Sequence, residues 1–524
     1  MTATIPTPTS APVEEVGLPR TSAAPPEEGV ATFASLNPAN GDVVGVHAKH
    51  SAGDVDGAVA LARETAQWWG ALDFGERAEH LLTWRSVLTR RMAQLAELMH
   101  RETGKPHADA QLEIALAIDH VAWAAKNAKK VLGRRSVSPG LIMANQAASV
   151  EYKPLGVVGV IGPWNYPVFT PMGSIAYALA AGNTVVFKPS EYTPGVGQWL
   201  ADTLTEVVGG RAVLQCVTGL GETGAALCSS GVDKLAFTGS GATGKKVMAA
   251  CAETLTPVII EAGGKDALIV DEDADVAAAA EAALWSGMSN AGQTCIGTER
   301  VYVHRAVFHE FVEEILAQAK GLRAGPTGSK IGPITMPSQV DVIRSHVQDA
   351  VDSGAKVLLG GPDAIGDRFV QPTIMTFVPE SSTEMTDETF GPTLAINPVS
   401  SMEEAIERTN ATRYGLAGAV FSKSRGEEIA RQIRSGMTSV NAVIAFAGVP
   451  SLPFGGVGES GFGRIHGPDG LREFTYAKAI TRQRFKPPLN LTSFQRDEKA
   501  EKALALITTL LHGGKKTLRV PSRS

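Results

Sequence analysis

The chain has 524 residues, too many for one ordinary hydrophobic core, so two or three domains are expected. With 44% apolar and 19% charged residues it has the balance of a soluble globular protein, and its net charge of −6 gives no reason to expect nucleic acid or an anionic membrane as the main partner. Four cysteines (Cys216, Cys228, Cys251, Cys295) make no disulfide framework, no CxxC or Cys/His spacing suggests a metal site, and a reducing, cytoplasmic setting fits.

Residues 1–30 are rich in Pro, Ser, Thr, Ala and Glu. Such a segment buries too little to order itself and is expected to be a flexible extension. It lacks the basic start and apolar run of a secretory signal, and no later stretch is apolar for long enough to span a bilayer. Order begins near Thr32, and Asn40-Gly41 between short extended runs predicts a hairpin. Three helical patterns follow, at Val55–Gly70, Gly75–Gly104 and Ala108–Leu132, each with an apolar stripe. They read as a packed layer without chemistry. Pro139-Gly140 marks a turn and Ala147–Tyr152 a strand, with a matching strand at Phe474–Phe485. An isolated hairpin of this kind needs another surface, which makes it the expected oligomerisation element.

Between residues 156 and 270 short apolar strands alternate with helices. The strands fall at Val157–Gly162, Thr184–Lys188, Val213–Thr218, Lys234–Thr238 and Val258–Glu261. This alternation implies an α/β fold with a parallel sheet covered on both faces, binding ligands at the carboxyl ends of its strands. Those ends carry Trp164-Asn165-Tyr166-Pro167, Lys188-Pro189-Ser190-Glu191, Gly239-Ser240-Gly241-Ala242-Thr243-Gly244 and Glu261-Ala262-Gly263-Gly264-Lys265. The glycines at Gly239 to Gly244 match GxGxxG in a strand, turn, helix context, which suits a nucleotide phosphate. Gly219 to Gly224 matches as well, so the pattern alone is cheap, and a tight turn explains either match equally. A generic dinucleotide rule would give Glu261 the ribose.

Cys295 follows a helix-patterned run, Asp273–Ser289, and precedes a strand-like run, Arg300–Val303. A thiol at such a junction is the type of group that attacks a carbonyl, although most free cysteines are small buried hydrophobes. Cys216, Cys228 and Cys251 lie in apolar patterns and read as core. Further helices are expected at His304–Lys320, Pro337–Ser353, Ser401–Thr409 and Ser424–Gly436.

Taken together, the strand-end motifs, the Cys295 segment, Glu388-Thr389-Phe390-Gly391-Pro392 and the run from Pro453 to Gly461 resemble the aldehyde dehydrogenase superfamily from about Ser35 to Phe485. Tyr166-Pro167, Val457 to Gly461 and His466-Gly467 look closest to its fatty and aromatic aldehyde branch. The resemblance implies a Rossmann-type NAD-binding domain (31–267), a catalytic domain (268–460), a return to the cofactor domain (461–490) and a tail (491–524). It implies that Cys295 attacks the aldehyde, that Asn165 and the Cys295 N–H hold the oxyanion, and that Glu261 activates the hydrolytic water. It places Trp164, Lys188, Ser190, Glu191, Gly221, Thr238, Gly239, Ser240, Gly244, Gly263, Glu388 and Phe390 at the cofactor. Lys188 and Glu191 would hold the adenosine ribose, which favours NAD while leaving NADP possible. Phe169 and Ile296 would flank an apolar substrate pocket. Ala262 and Asp266 depart from the superfamily's usual leucine and small residue.

The resemblance also implies a small-molecule aldehyde as substrate and a homodimer or homotetramer, with no metal. Two further readings stand beside this one: a semialdehyde dehydrogenase acting on a charged substrate, and a structural relative without activity. Acyl transfer to coenzyme A is disfavoured by Glu261. In the tail, Leu504, Leu506, Ile507, Leu510 and Leu511 form an apolar helical face before Lys515, Lys516 and Arg519. Such a helix more often packs on its own body or a partner than on a membrane surface.

Overall fold

The computed structural model describes residues 30–326, 328–486 and 493–513, which fall into two compact units: one formed by residues up to 131 with 154–475, the other by 132–153 with the residues from 476. The larger unit is built on two sheets. The first has the strand order Gly461–Phe462, Val258–Ala262, Lys234–Gly239, Val157–Ile161, Thr184–Lys188, Leu214–Cys216. All of its pairs are parallel except at the edge, where Gly461 lies opposite Glu261. The second has the order Lys356–Leu359, Thr373–Thr376, Thr393–Val399, Thr298–His304, Asp266–Val270, Gly418–Phe421, Ser439–Val440, and only its first strand runs antiparallel. The α/β class expected from the sequence is therefore realised twice.

These strands are short and apolar because helices cover both faces. Thr184–Lys188 and Asp266–Val270 are buried along their whole length, as is the helix Phe169–Ala181. The chain passes from one sheet to the other through Gly263-Gly264-Lys265, so Glu261 stands at the end of the first sheet where the second begins.

Two helices differ from expectation. The helix expected over Gly75–Gly104 is two helices, Phe74–Arg90 and Met92–Thr103, meeting at Arg91 (ψ 17°). No Gly or Pro marks the break. Both pieces pack on the helix Pro194–Val207, and Arg91 at the joint reaches Glu206 of that helix at 2.9 Å. The helix expected over Ser424–Gly436 ends at Ala430, because the chain beyond turns so that Gly436 N–H reaches the Gly415 carbonyl (3.1 Å).

The smaller unit holds a three-stranded sheet in the order Thr475–Gln483, Gln146–Pro154, Arg135–Val137, followed by the helix Glu498–His512. Leu506, Leu510 and Leu511 of that helix are exposed. The extension expected before Val30 and the basic end at Lys515, Lys516 and Arg519 lie outside the described residues. Among the described residues no helix is long and apolar enough to cross a membrane.

One long-range cap ties this fold together. Thr193 precedes the helix Pro194–Val207 but gives it no side-chain cap. Glu102, at the end of another helix, accepts instead from the N–H groups of Gly195 and Val196, both at 3.0 Å. Burial pushes Glu102 up to about 7, and the two N–H groups only partly oppose this. Glu102→Ala leaves both donors buried and unpaired, at about 1–3 kcal/mol each. We expect a thermal unfolding midpoint lowered by several degrees in calorimetry, with Glu102→Gln, which retains one carbonyl acceptor, losing less.

Candidate active site

The helix Val276–Met288, capped by the Asp275 carboxylate on Ala278 N–H, runs into a short left-handed turn. Asn290, Ala291 and Gly292 have φ of 52°, 56° and 72°. Two consecutive non-glycine residues in this region cost roughly 1–2 kcal/mol each and persist only where the surroundings over-determine them. Here they do. The Asn290 amide donates to the carbonyls of Asn165 and Gln293 (both 3.1 Å), and the Gln293 amide donates to the Asn290 carbonyl (2.8 Å). Thr335 N–H donates to the Gln293 side chain (2.8 Å). A Cβ on Gly292 would stand 2.0 Å from the Gly391 carbonyl, so only glycine fits. Cys295 follows this turn, partly buried, with its backbone N–H given no protein acceptor among the described residues.

Asn165 reaches the same place from the first sheet. Its side-chain amide donates to the Gln293 carbonyl (3.0 Å), which leaves the second amide hydrogen free to donate. Its own carbonyl accepts from Lys105 Nζ (2.8 Å). Lys105 is buried, paired with Glu113 and set over the Tyr166 ring at 3.8 Å. Glu113 accepts in turn from Val168 N–H (2.9 Å) and Phe169 N–H (3.1 Å). The Tyr166 hydroxyl meets Thr294 Oγ1 at 3.0 Å. One buried ion pair thus orients the loop carrying Asn165 and, through Tyr166, the residue before Cys295. Glu113 sits on the helix His107–Leu132, which the sequence presented as packing alone.

Glu261 is 3% exposed, and neither carboxylate oxygen has a partner at hydrogen-bonding geometry. Burial pushes it up to about 7, a rise that the nearby Thr238 hydroxyl and Cys295 thiol only partly offset. The Cys295 thiol is pushed well above its ordinary range, first by burial and then by the charges of Glu261 and Glu388. Glu388 is itself pushed up to about 8 by burial and by Glu299, and accepts from Gly264 N–H (3.1 Å). A Cβ on Gly263 would stand 2.0 Å from the Glu388 carboxylate. A thiol and two carboxylates that resist ionisation therefore lie together, with the Asn165 amide bonded to the Gln293 carbonyl two residues before the thiol. Such a set suits attack on a carbonyl followed by proton abstraction from water.

Next to it, one cleft is lined by Trp164, Lys188, Ser190, Glu191, Gly221, Thr238, Gly239 and Ser240. Ser240 caps the helix Gly241–Ala252 by accepting from Thr243 N–H (3.3 Å), leaving a helix N-terminus of the type that binds phosphate. The acid Glu191 and the cation Lys188 share this wall, so the residues present fit a dinucleotide. Four residues expected at the cofactor, Gly244, Gly263, Glu388 and Phe390, are not among those lining this cleft. Gly244 packs the helix on the sheet, where a Cβ would meet Ile260 at 3.1 Å. Gly263 and Glu388 meet at the passage between sheets. Phe390 (φ 53°) stands edge-on to Trp164 at 5.6 Å.

Sequence reasoning missed Glu299, which pairs with Lys265 and accepts from the N–H groups of Thr389 (2.9 Å) and Phe390 (3.0 Å). It holds the Glu388–Phe390 segment, and no local pattern marks it. It also missed Lys246 and Cys228, which line the cleft. Asp266, noted as a departure, is buried with one oxygen unpartnered and the other accepting from Ala417 N–H (3.0 Å).

A model of the aldehyde dehydrogenase family matches residues 25–480. The chain is 36% identical over 451 residues to the 4,4'-diapolycopene aldehyde oxidase of Methylomonas sp, covering 85% of this chain and 84% of that one. It is 37% identical to a putative succinate-semialdehyde dehydrogenase [NADP(+)] of Mycolicibacterium smegmatis, covering 84% and 87%. Among solved structures, an NAD-dependent aldehyde dehydrogenase from Sinorhizobium meliloti superposes with a TM-score of 0.84 at 33% identity, over 88% of this chain and 93% of that one. The chain belongs to the aldehyde dehydrogenase family and is an NAD(P)-dependent aldehyde dehydrogenase.

Proposed function

We propose that the protein oxidises an aldehyde to its carboxylic acid through a covalent adduct on Cys295. The observation that carries this reading is the convergence of Cys295, Asn165 and the unpartnered, buried Glu261 on one space. The Cys295 thiol gives its proton to solvent water as its sulfur bonds to the aldehyde carbon. The oxygen that becomes negative is met by the free Asn165 amide hydrogen and the Cys295 N–H, which need no reorganisation. A dinucleotide held in the cleft by Trp164, Lys188, Glu191 and Ser240 would supply the hydride acceptor that turns the Cys295 adduct into a thioester. Glu261 then takes a proton from water as the water attacks the thioester, and the acid leaves as the thiol is restored.

Glu191 supports NAD over NADP, since a carboxylate repels a 2′-phosphate. Lys188 and Lys246 bring positive charge to the same cleft. A homodimer or homotetramer is supported by the smaller unit, whose three strands include the largely exposed Thr475–Gln483, with Tyr476 half exposed. A sheet this small is completed by another surface.

Cys295→Ala is expected to abolish NADH formation from every aldehyde. Asn165→Ala should lower kcat by about 10²–10³. Glu261→Gln should still release a first burst of NADH and then stall, with the acyl-protein detected by intact mass spectrometry. A Cys295→Ala protein with full turnover would sink the assignment.

Glu261 also makes stability depend on pH. Its folded value of about 7 lies above its ordinary 4.5. Folding therefore favours the protonated form, and that advantage fades as pH rises between these values, at a cost of about 3 kcal/mol once it is ionised. Glu261→Gln should match the parent in thermal midpoint below pH 4.5 and exceed it increasingly up to pH 8. In the parent, turnover should fall as pH drops through 7, because the base is then protonated.

A further inference from the structure

Resting on the aldehyde-oxidising reading, the walls around Cys295 say what kind of aldehyde it takes. The chamber beside Cys295 is faced by Leu112, Leu116, Phe169, Ile296, Ile444 and Phe454. Its polar lining includes Tyr166, Thr170, Ser289 and Thr294, and among the described residues its charged lining is the acids Asp109 and Glu113, with no Lys, Arg or His. Lys105, buried against the Tyr166 ring, is paired with Glu113 and bound to the Asn165 carbonyl, so its donors are already engaged.

A second chamber shares Asp109, Trp285 and Ser289 with the first, so the two adjoin, and Cys295 lines only the first. Leu284, Met288, Leu322 and Ile331 supply its apolar wall. Its one cation, Lys330, stands among two acids, Asp109 and Glu281. Trp285, on the helix that delivers the cysteine turn, belongs to both chambers and is 44% exposed.

We propose that the substrate is an uncharged aldehyde with an extended apolar body, long-chain or aromatic, and that short carboxylate-bearing semialdehydes are excluded by the acidic, cation-free inner chamber. A carboxylate a few carbons from the aldehyde would be taken out of water with no free cation to pair with, since Lys105 is already paired with Glu113, and with Asp109 nearby. An apolar chain gains instead with every methylene it buries. Trp285 is the specificity-determining side chain for the distal part of such a chain. Asp109 disfavours anions at the point where the chambers meet.

The test is kcat/KM of the full-length protein with NAD across propanal, butanal, hexanal, dodecanal, benzaldehyde and succinic semialdehyde. From propanal to hexanal it should rise by up to about fourfold per methylene. Succinic semialdehyde should fall at least a hundredfold below butanal, which has the same chain length without the carboxylate. Trp285→Ala should cost dodecanal at least ten times more than it costs propanal. Leu112→Arg, at a half-exposed wall position, should raise succinic semialdehyde at least tenfold while lowering hexanal. A protein that prefers succinic semialdehyde to hexanal overturns the inference and leaves aldehyde oxidation standing. Equal losses for all aldehydes in Trp285→Ala, or no gain for succinic semialdehyde in Leu112→Arg, also count against it. A folded protein that reduces NAD with none of the six overturns both.

Discussion

Everything at the centre of this molecule depends on a buried lysine held between a carboxylate, a carbonyl and a ring. Lys105 pairs with Glu113, donates to the Asn165 carbonyl and lies over Tyr166. A buried ion pair adds little to stability, but breaking one costs about 3–5 kcal/mol because the survivor is left uncompensated. The pair therefore acts as a clamp. Through Glu113 it fixes the amides of Val168 and Phe169, and through Asn165 and Tyr166 it meets the turn before Cys295.

The left-handed turn at Asn290 to Gly292 is the counterpart of that clamp. Its strain is balanced by side-chain amides that bond within the turn and across to the Asn165 loop. Both loops belong to the ends of sheets, and the chain crosses between the sheets through Gly263-Gly264-Lys265 and returns through residues 441–460. Glu299 stabilises the far side by holding Lys265 and the backbone of Thr389 and Phe390. Two buried lysine–glutamate pairs thus flank a space in which the Glu261 carboxylate, beside the Thr238 hydroxyl and the Cys295 thiol, has no partner at hydrogen-bonding geometry. A satisfied carboxylate is a fixed strut, whereas an unsatisfied one in a dry setting is poised to take a proton near neutral pH.

The same logic separates the two cavities. The dinucleotide cleft mixes Lys188, Lys246 and Glu191 with a helix N-terminus, as a charged, extended ligand requires. The chamber beside Cys295 is apolar with acids alone. Since a charged tail needs a counter-charge once water is removed, the difference in lining supports the proposed preference for an uncharged aldehyde beside Cys295.

The sequence by itself determined a good deal. Short apolar strands spaced by helices dictate parallel sheets, because such strands must be covered on both faces. The residues at the ends of those strands, Trp164-Asn165, Lys188 to Glu191, Gly239-Ser240 and Glu261, were visible as candidates because ligands collect there. Cys295, whose setting alone reads as a buried hydrophobe, was singled out by the motifs at the strand ends, Glu388 to Pro392 and Pro453 to Gly461 that accompany it. Other features were decided only by the tertiary structure. The break at Arg91 carries no glycine or proline and exists because two helices pack on a third. Glu102, Lys105, Glu113 and Glu299 lie in unremarkable local patterns, and each acts on backbone that is distant in sequence or across a sheet boundary. The states of Glu261 and Cys295, and the absence of a cation from the walls beside them, depend on which surfaces close over a residue. Desolvation is a property of the assembled surroundings, and no local run of residues encodes it.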